Sequence, residues 1–182
     1  MEWVNLGYSG AQWGIGDVFG SRCEIRMEPG DAIARTYYNS VYRHGVDDKR
    51  RIQFPAKWRP AKEGTELTIM LSLKQNEGPC LRVLLPEKMA EMMRDLDAMP
   101  NSDPQKTTLK RFIGSKSEQV TLDKSGRICL PEEMARDAGI KVNEEAVLVG
   151  LLDRIEIWSP DRYAKVEAAD AVIAQEAFKL LE

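Results

Sequence analysis

The chain has 182 residues and a mass of 20.6 kDa, enough for one ordinary domain or two small ones with a buried apolar core. Its 43% hydrophobic and 30% charged residues are ordinary for a globular protein, which excludes a collagen-like chain, a coiled-coil fibre and a wholly disordered chain. Because no apolar run approaches the length of a bilayer-spanning helix, we expect no role in a membrane.

Charge is distributed unevenly along the chain, although the net charge is only −3. Residues 43–62 carry seven basic and two acidic side chains, and residues 106–127 carry six and two. Residues 132–182 carry twelve acidic and six basic side chains. The two basic segments can form one face that attracts a polyanion, or they can be solvated faces without a ligand. Charge alone leaves both interpretations open.

The first 35 residues contain two tryptophans and closely spaced glycines, without a basic region or a continuous apolar stretch. This composition does not resemble a secretory signal, so we expect a cytoplasmic protein. We interpret residues 1–35 as an N-terminal extension that is either partly disordered or precedes a true start at Met27. Cys23, Cys80 and Cys129 form no CxxC pair, so we expect reduced thiols rather than disulfides.

An internal repeat comes next in chain order. Residues 47–55 and residues 123–131 both read Asp-x-x-x-Arg-Ile-x-apolar-Pro. Each copy follows a stretch that predicts a half-buried strand, at residues 38–46 and 118–122. Each copy therefore predicts a strand, a tight turn, a second strand and the start of a helix.

The residue types in the repeat explain this prediction. An aspartate at the start of a turn accepts backbone N–H bonds from residues further along, and Gly126 tolerates positive φ. The arginine that ends each turn lies close enough to pair with the aspartate, Arg51 with Asp47 and Arg127 with Asp123. The proline that ends each copy fits the first turn of a helix.

Further elements are predicted between and after the copies. Strands are expected over residues 67–73 and 80–85 around a turn at 75–79, and over 146–152 and 155–158 around Asp153-Arg154. Helices are expected over 86–98, over 104–113 after an Asp103 N-cap, over 131–139 with Gly139 at its end, and from about 160 to the C-terminus. Met89, Met92, Met93 and Leu96 form a stripe at helical spacing that we assign to the core.

Sites for catalysis or metal binding are not indicated. The single histidine, His44, has no cysteine or carboxylate at ligand spacing, so we interpret it as a solvent-facing strand residue. The glycines near the N-terminus follow no apolar strand and do not form a nucleotide-binding loop. We therefore expect no enzyme, no cofactor and no metal.

Short strings of residues accompany the two copies of the motif. They are Phe-Pro-Ala-Lys-Trp-Arg at 54–59, Leu-Asp-Lys-Ser-Gly-Arg-Ile at 122–128, Ala-Gly-Ile at 138–140 and Glu-Ile-Trp at 156–158. Together with both Asp-x-x-x-Arg copies, they resemble the MraZ family of transcriptional regulators of the division and cell-wall gene cluster. The resemblance covers about residues 36–163 in collinear order.

The resemblance implies an α+β fold. Its two swapped-hairpin modules, similar to AbrB and SpoVT DNA-binding domains, would interlock into a double-split β-barrel with flanking helices. The implied organisation is an N-terminal extension at 1–35, a first module at 36–88, a helical connector at 89–116, a second module at 117–160 and a C-terminal helix at 161–182.

The resemblance also implies a function. It is sequence-specific binding of ring-shaped homo-oligomers to direct repeats of double-stranded DNA upstream of the chain's own gene cluster, usually with repression, in the cytoplasm at the nucleoid. We expect Arg51 and Arg127 to reach base edges. The remaining site residues are expected to contact phosphates (Lys49, Arg50, Lys124) or to position the loops (Asp47, Asp123, Gly126).

The sequence departs from the family pattern at two positions. Arg50 stands where the first motif usually has glycine, and we expect either a different turn geometry or an added phosphate contact there. Ala135 stands at the position equivalent to Arg59, so we expect the two copies to contribute unequally.

Two alternatives remain open: aspartate–arginine bridges that only tie the turns, and a protein-interaction or antitoxin-like module whose acidic C-terminal helix binds a partner.

Overall fold

The computed structural model of the chain describes residues 37–74 and 78–179. The expected N-terminal extension at residues 1–35 lies outside the described residues, as do positions 75–77 of an expected turn and Leu180 of the last expected helix. Of the helices in the described ranges, none combines the length and the apolar character that a membrane crossing requires.

The fold is α+β, and its elements follow the predicted order. The strands are β1 Val41–Gly45, β2 Arg51–Gln53, β3 Leu67–Lys74, β4 Gly78–Leu84, β5 Ser117–Val120, β6 Arg127–Cys129, β7 Glu145–Gly150 and β8 Ile155–Trp158. The helices are α1 Pro86–Ala98, α2 Pro104–Ser115, α3 Glu132–Asp137 and α4 Pro160–Phe178, with a short 3-10 helix at Ala56–Trp58. We call β1 to β4 the first copy and β5 to β8 the second copy.

The strands form two antiparallel sheets. Six of them make one sheet in the order β1-β7-β8-β4-β3-β5, and β2 pairs with β6 in a separate two-stranded ribbon. Among the described strands these pairings do not close into a ring, so the double-split barrel stays a prediction.

The two copies are interlocked in these sheets. The first strand of each copy pairs with the third strand of the other, β1 with β7 and β5 with β3. β4 pairs with β8 at the middle of the large sheet, and Ile52 lies opposite Ile128 at the middle of the ribbon. An approximate two-fold axis therefore relates the copies, and each copy completes the sheet of the other.

The ribbon has one apolar and one polar face, as its alternating sequence predicts. Ile52, Phe54, Ile128 and Leu130 are fully buried. The intervening ribbon residues are half-buried or exposed. The ribbon therefore turns its polar face, which carries both motif arginines, away from the core.

One apolar cluster joins the ribbon to the large sheet, and its two halves differ in composition. In the first copy, Trp58 is 1% exposed and meets Tyr38, Tyr42 and Phe54 edge to face, with ring centroids 5.0 to 6.3 Å apart. Each such aromatic pair adds about 0.5–1.5 kcal/mol beyond its buried area. In the second copy, the position of Trp58 is taken by the aliphatic Met134, which is 6% exposed.

A proline follows the second strand of each copy, but relative to the helix it lies one position earlier than predicted. Pro55 and Pro131 precede the helices as N-cap residues instead of lying in the first turn. The first copy forms only a 3-10 helix here, because Pro60 holds Arg59 in an extended conformation. The helix predicted to run from Pro55 towards Arg59 is therefore only one 3-10 turn.

In the second copy α3 ends as predicted at Gly139, which has a φ of +71°. The N–H groups of Gly139 and Ile140 donate to the carbonyls of Arg136 and Ala135 at 3.0 and 2.9 Å. This is the hydrogen-bond pattern of a glycine-terminated helix, and it confirms Gly139 as the residue after the helix end.

The connector helices start as predicted. α1 begins at Pro86, and the Asp103 carboxylate accepts the Gln105 N–H at 2.8 Å to cap α2. The core assignment of the stripe is confirmed for Leu96, which is buried, whereas Met89, Met92 and Met93 are only half-buried.

The last helix, α4, is buried over only part of the predicted apolar side. Tyr163 and Val166 pack against a second apolar cluster that contains Trp158. Further along, Ile173 is 60% exposed and Val172 is 78% exposed. The first half of α4 therefore packs on this chain, while the apolar side chains at 172 and 173 face solvent.

Candidate nucleic-acid interface

Asp47 organises the first loop, which we define as residues 47–51. Its Oδ1 atom accepts hydrogen bonds from the backbone N–H groups of Lys49 and Arg51 at 2.9 and 2.8 Å. Its Oδ2 atom accepts from Nε of Arg51 at 2.7 Å and lies 2.7 Å from Nη2 of that side chain. One carboxylate therefore fixes both the backbone of the turn and the direction of the arginine.

Asp123 organises the second loop, residues 123–127, in the same way. Its Oδ1 atom accepts from the N–H groups of Ser125 and Arg127 at 2.8 and 3.0 Å. Its Oδ2 atom accepts from Nε of Arg127 at 2.9 Å and lies 2.8 Å from Nη2. The predicted aspartate–arginine pairs are thus present in both loops.

The fourth residue of each loop adopts a left-handed conformation, with φ of +58° at Arg50 and +74° at Gly126. Each of them donates its N–H to the carbonyl of the loop's aspartate, at 2.9 and 2.8 Å. Of the two alternatives for Arg50, a different turn geometry was therefore wrong, and the added phosphate contact stays a prediction. Aspartate hydrogen bonds hold an arginine in a conformation that favours glycine.

The two loops lie next to each other although they are far apart in sequence. In the ribbon, Arg51 lies opposite Cys129, and Gln53 lies opposite Arg127. Nη1 of Arg127 is 3.8 Å from Oδ2 of Asp47, so the carboxylate of one loop also faces the arginine of the other. The ribbon thus brings both predicted base-reading arginines to one surface.

The predicted phosphate contacts differ in their surroundings. Lys49 and Lys124 are exposed in the loops. Arg50 is half-buried, and its Nη1 atom lies 3.4 Å from a carboxylate oxygen of Glu132 at the start of α3. Its Nε atom is buried and has no hydrogen-bond partner among the described residues. Arg50 is therefore partly directed towards the protein, which the sequence did not predict.

Two further residues of the first copy support the second loop, and neither was predicted from the sequence as a site residue. Nε2 of Gln53 donates to the carbonyls of Gly126 and Ser125 at 3.0 and 3.2 Å. The guanidinium of Arg59 covers Gly126 so closely that an added Cβ would lie 2.6 Å from Nε. The repeat shows that the copies differ at these positions, with Cys129 and Ala135 in the second copy, but it does not show what Gln53 and Arg59 contact.

Support for the first loop is weaker. Sγ of Cys129, the equivalent of Gln53, donates to the carbonyl of Lys49 at 3.5 Å. A thiol is a poorer donor than an amide, so the first loop receives less from the opposite strand than the second loop does. The predicted inequality of the two copies therefore has a physical counterpart in the loop supports.

The electrostatics of the loops follow from these contacts. The hydrogen bond from the Arg51 side chain, followed by backbone N–H bonds, lowers the pKa of Asp47 from 3.8 to about 2. Backbone and side-chain bonds from Arg127 lower the pKa of Asp123. The Asp47 carboxylate in turn raises the pKa of Arg51. Both aspartates therefore stay charged throughout the physiological pH range.

Metal-ligating side chains do not gather anywhere in the described ranges. His44, expected to face solvent, is half-buried on β1, and its ring stacks on Tyr42 with centroids 6.2 Å apart and planes 4° apart. This contact gives the histidine a packing role.

Comparison with known proteins identifies the family. A family profile described as "MraZ protein, putative antitoxin-like" matches residues 114–179. The transcriptional regulator MraZ of Clostridium tetani is 30% identical over 141 residues, which cover 78% of this chain and 94% of that protein. The chain belongs to the MraZ family.

Other MraZ proteins show the same level of similarity. Transcriptional regulator MraZ of Desulforamulus reducens is 32% identical over 144 residues, 77% of this chain and 96% of that protein. That of Moorella thermoacetica is 33% identical over 122 residues, 67% and 80% of the two chains. MraZ is thus a family of transcriptional regulators and not of enzymes.

Proposed function

We propose that this chain is a transcriptional regulator that binds double-stranded DNA with sequence specificity through its two Asp-x-x-x-Arg loops. The observation that carries the proposal is that two distant copies of one motif adopt the same hydrogen-bonded geometry side by side on the ribbon. A two-stranded ribbon is narrow enough to enter the major groove, where base edges are distinct. The names of the MraZ relatives support the regulatory role.

Each loop residue has a proposed part in recognition. Arg51 and Arg127 read base edges, since a guanidinium held by a carboxylate presents its remaining N–H groups in a fixed direction. Lys49 and Lys124, both exposed, contact phosphates and add affinity without sequence information. The loops are positioned by Asp47, Asp123 and Gly126. Arg50, also proposed as a phosphate contact, must first leave its Glu132 partner.

The assembly part of the proposal rests on the family resemblance. The modules close into a double-split barrel, and the protomers form a ring that presents many loops to direct repeats in the promoter of the chain's own division and cell-wall gene cluster. Binding at the nucleoid would usually repress transcription. Because each further loop acts at high effective concentration, affinity for the promoter is expected to rise steeply with the number of repeats.

The test is fluorescence anisotropy with labelled DNA from upstream of the gene and a scrambled duplex of equal length. The wild-type chain is compared with the Arg51→Ala/Arg127→Ala double variant at physiological salt. Selective binding by the wild type and its loss in the double variant is the expected result. Arg111→Ala/Lys165→Ala, which removes two exposed charges from α2 and α4, is the matched control and should keep the selectivity of the wild type.

Selective binding that persists in the double variant would contradict the assignment of these arginines. Selective binding would also persist if the aspartate–arginine pairs only stabilised the turns and did not contact DNA. Thermal unfolding of the double variant separates loss of binding from loss of fold.

A protein-interaction or antitoxin-like module is the second candidate function. Exposed apolar side chains on the acidic α4, at Val172 and Ile173, favour it, as does the antitoxin-like description of the family profile. Affinity for DNA falls steeply with salt, whereas affinity for a protein partner need not. Wild-type binding to DNA without selectivity and without steep salt dependence would favour this second function.

A further inference from the structure

The approximate two-fold axis relates positions whose residues differ in a coordinated way. It maps Arg50 of the first loop onto Gly126 of the second, and Arg59 after the first ribbon strand onto Ala135 after the second. At each loop, one of these two positions holds an arginine and the other holds a small residue, but the position that holds the arginine differs between the loops. In the first loop the arginine belongs to the loop itself, and beside the second loop it comes from the other copy.

Arg59 takes up this place through direct contacts. Its Nε atom donates to the carbonyl of Phe54 at 3.1 Å, which anchors the base of the guanidinium. The guanidinium covers Gly126, which is buried although it lies in a surface loop. Only a residue without a Cβ leaves room for this contact, so the glycine and the arginine form a matched pair.

The surroundings of Arg59 leave its charge available. The side chain is exposed, and no carboxylate of the described residues forms an ion pair with it. It lines an open groove of about 530 Å³ beside the second loop, together with Lys62 and Lys124. Glu63 and Asp123 also line the groove, and the carboxylate of Asp123 is already engaged by Arg127. Arg50, by contrast, is paired with Glu132.

We propose that Arg59 contacts a DNA phosphate beside the second loop, as a binding residue that the first copy supplies to the motif of the second. The inference rests on the proposed DNA-binding function and adds a residue outside the Asp-x-x-x-Arg pattern. An arginine suits the role because its planar fork binds phosphate oxygens while one nitrogen stays anchored. The groove with Lys62 and Lys124 then follows the DNA backbone, and Arg127 faces the bases.

The competing explanation is that Arg59 only packs over Gly126 and holds the loop. Salt dependence separates the two, because each lost phosphate contact reduces the slope of log affinity against log salt by about 0.9. A residue that acts only by packing changes affinity without changing this slope.

The experiment measures this slope by anisotropy for the full chain and for two substitutions, on the upstream and scrambled duplexes. Arg59→Gln keeps a donor for the Phe54 carbonyl but removes the charge. It should therefore reduce the slope of log affinity against log salt by about 0.9 for each protomer whose second loop contacts the duplex. Affinity should fall on both duplexes alike. Arg59→Lys keeps the charge and should retain most of the slope, and Arg111→Ala serves as the charge control.

An exchange variant tests whether an arginine in the second loop itself can replace Arg59, an equivalence that the two-fold axis predicts. Arg59→Ala/Gly126→Arg gives the second loop the combination that Arg50 and Ala135 form in the first. It should recover the slope lost in Arg59→Ala alone. A folded exchange variant that keeps the reduced slope would overturn the equivalence.

The outcomes distinguish this inference from the proposed function. An unchanged slope in Arg59→Gln, or equal losses in the Gln and Lys variants, would overturn the phosphate contact. If selective binding is still lost in Arg51→Ala/Arg127→Ala, the proposed function stands and only the role of Arg59 fails. If that double variant binds selectively, the proposed function itself fails.

Discussion

The first and second loops have the same backbone geometry, although their residues differ. The second loop places glycine at its left-handed position, whereas the first holds Arg50 there at a φ of +58°. In both, the aspartate accepts two backbone N–H bonds and one arginine side chain. The aspartate, rather than glycine, therefore determines the turn. Glycine in the second loop instead makes room for Arg59.

The supports beneath the two loops differ more than the loops do. Trp58 closes an aromatic cluster below the first copy, and Met134 occupies the equivalent position in the second. Both are nearly buried, but the indole fills more space and meets three other rings. Stability is therefore distributed unequally between two copies that share one fold.

Removing these two side chains is expected to have the largest effect. Trp58→Ala should lower the free energy of unfolding by about 3–5 kcal/mol, since it deletes a buried aromatic side chain and leaves a cavity. Met134→Ala should cost about 2–5 kcal/mol, and less than Trp58→Ala. Urea unfolding followed by circular dichroism provides both values. A larger loss at Met134 would contradict the unequal support.

The single arginine variants test whether the loops are functionally equal. Arg51→Ala and Arg127→Ala should each weaken binding to the upstream duplex by roughly 5- to 150-fold, the value of one bidentate contact with a base. Arg127→Ala should do more harm if the better supported second loop dominates recognition. Titration of each variant on the upstream and scrambled duplexes measures this difference. A loss of equal size on both duplexes would indicate phosphate binding instead of base reading.

Local sequence signals were enough to predict the loops and most elements. The repeat fixed the positions of Asp47, Arg51, Asp123 and Arg127, because the turn depends on bonds within five residues. Asp103 and Gly139 marked helix ends for the same reason. The repeat did not reveal Gln53 and Arg59 as loop supports, since their contacts cross from one copy to the other.

Burial was harder to predict than secondary structure. The methionine stripe of α1 has helical spacing, but spacing does not show whether another element covers it. Likewise the 3-10 helix after Pro55 depends on Pro60, which stops the helix that the motif begins. These differences arise from packing and from residues beyond the repeated motif.

Substitution of Gly126 tests whether Gly126 and Arg59 form a matched pair, and we expect a smaller loss of stability than at Trp58 or Met134. Gly126→Ala places a Cβ at positive φ and against the Arg59 guanidinium, so it should destabilise the fold by more than the roughly 1–2 kcal/mol that the conformation alone costs. Gly64→Ala is the matched control, because Gly64 has a φ of +72° and open space around its Cα. Thermal unfolding compares the two, and equal losses would show that Arg59 moves aside freely.

The smallest expected effect is the pH dependence of the loops. A carboxyl group whose pKa is lower in the folded state than in the unfolded state stabilises the fold at pH values above the unfolded-state pKa. This contribution is lost as the pH falls through the folded-state pKa. Asp47, lowered from 3.8 to about 2, should therefore keep its bond to Arg51 from neutral pH to about 4 and release it as the pH approaches 2. Binding between about pH 5 and pH 8 should not follow the titration of this carboxylate.

Carboxyl carbon shifts in an NMR titration measure this pKa directly. Asp47 should titrate near 2 and Asp123 below 3.8. In Arg51→Ala the Asp47 midpoint should move towards 3.8, because the first cause of its lowered pKa is the Arg51 side chain. Arg127→Ala should move it less, since that guanidinium lies 3.8 Å away instead of 2.7 Å. An equal shift in both variants would mean that the two loops share one charge network and do not act as separate pairs.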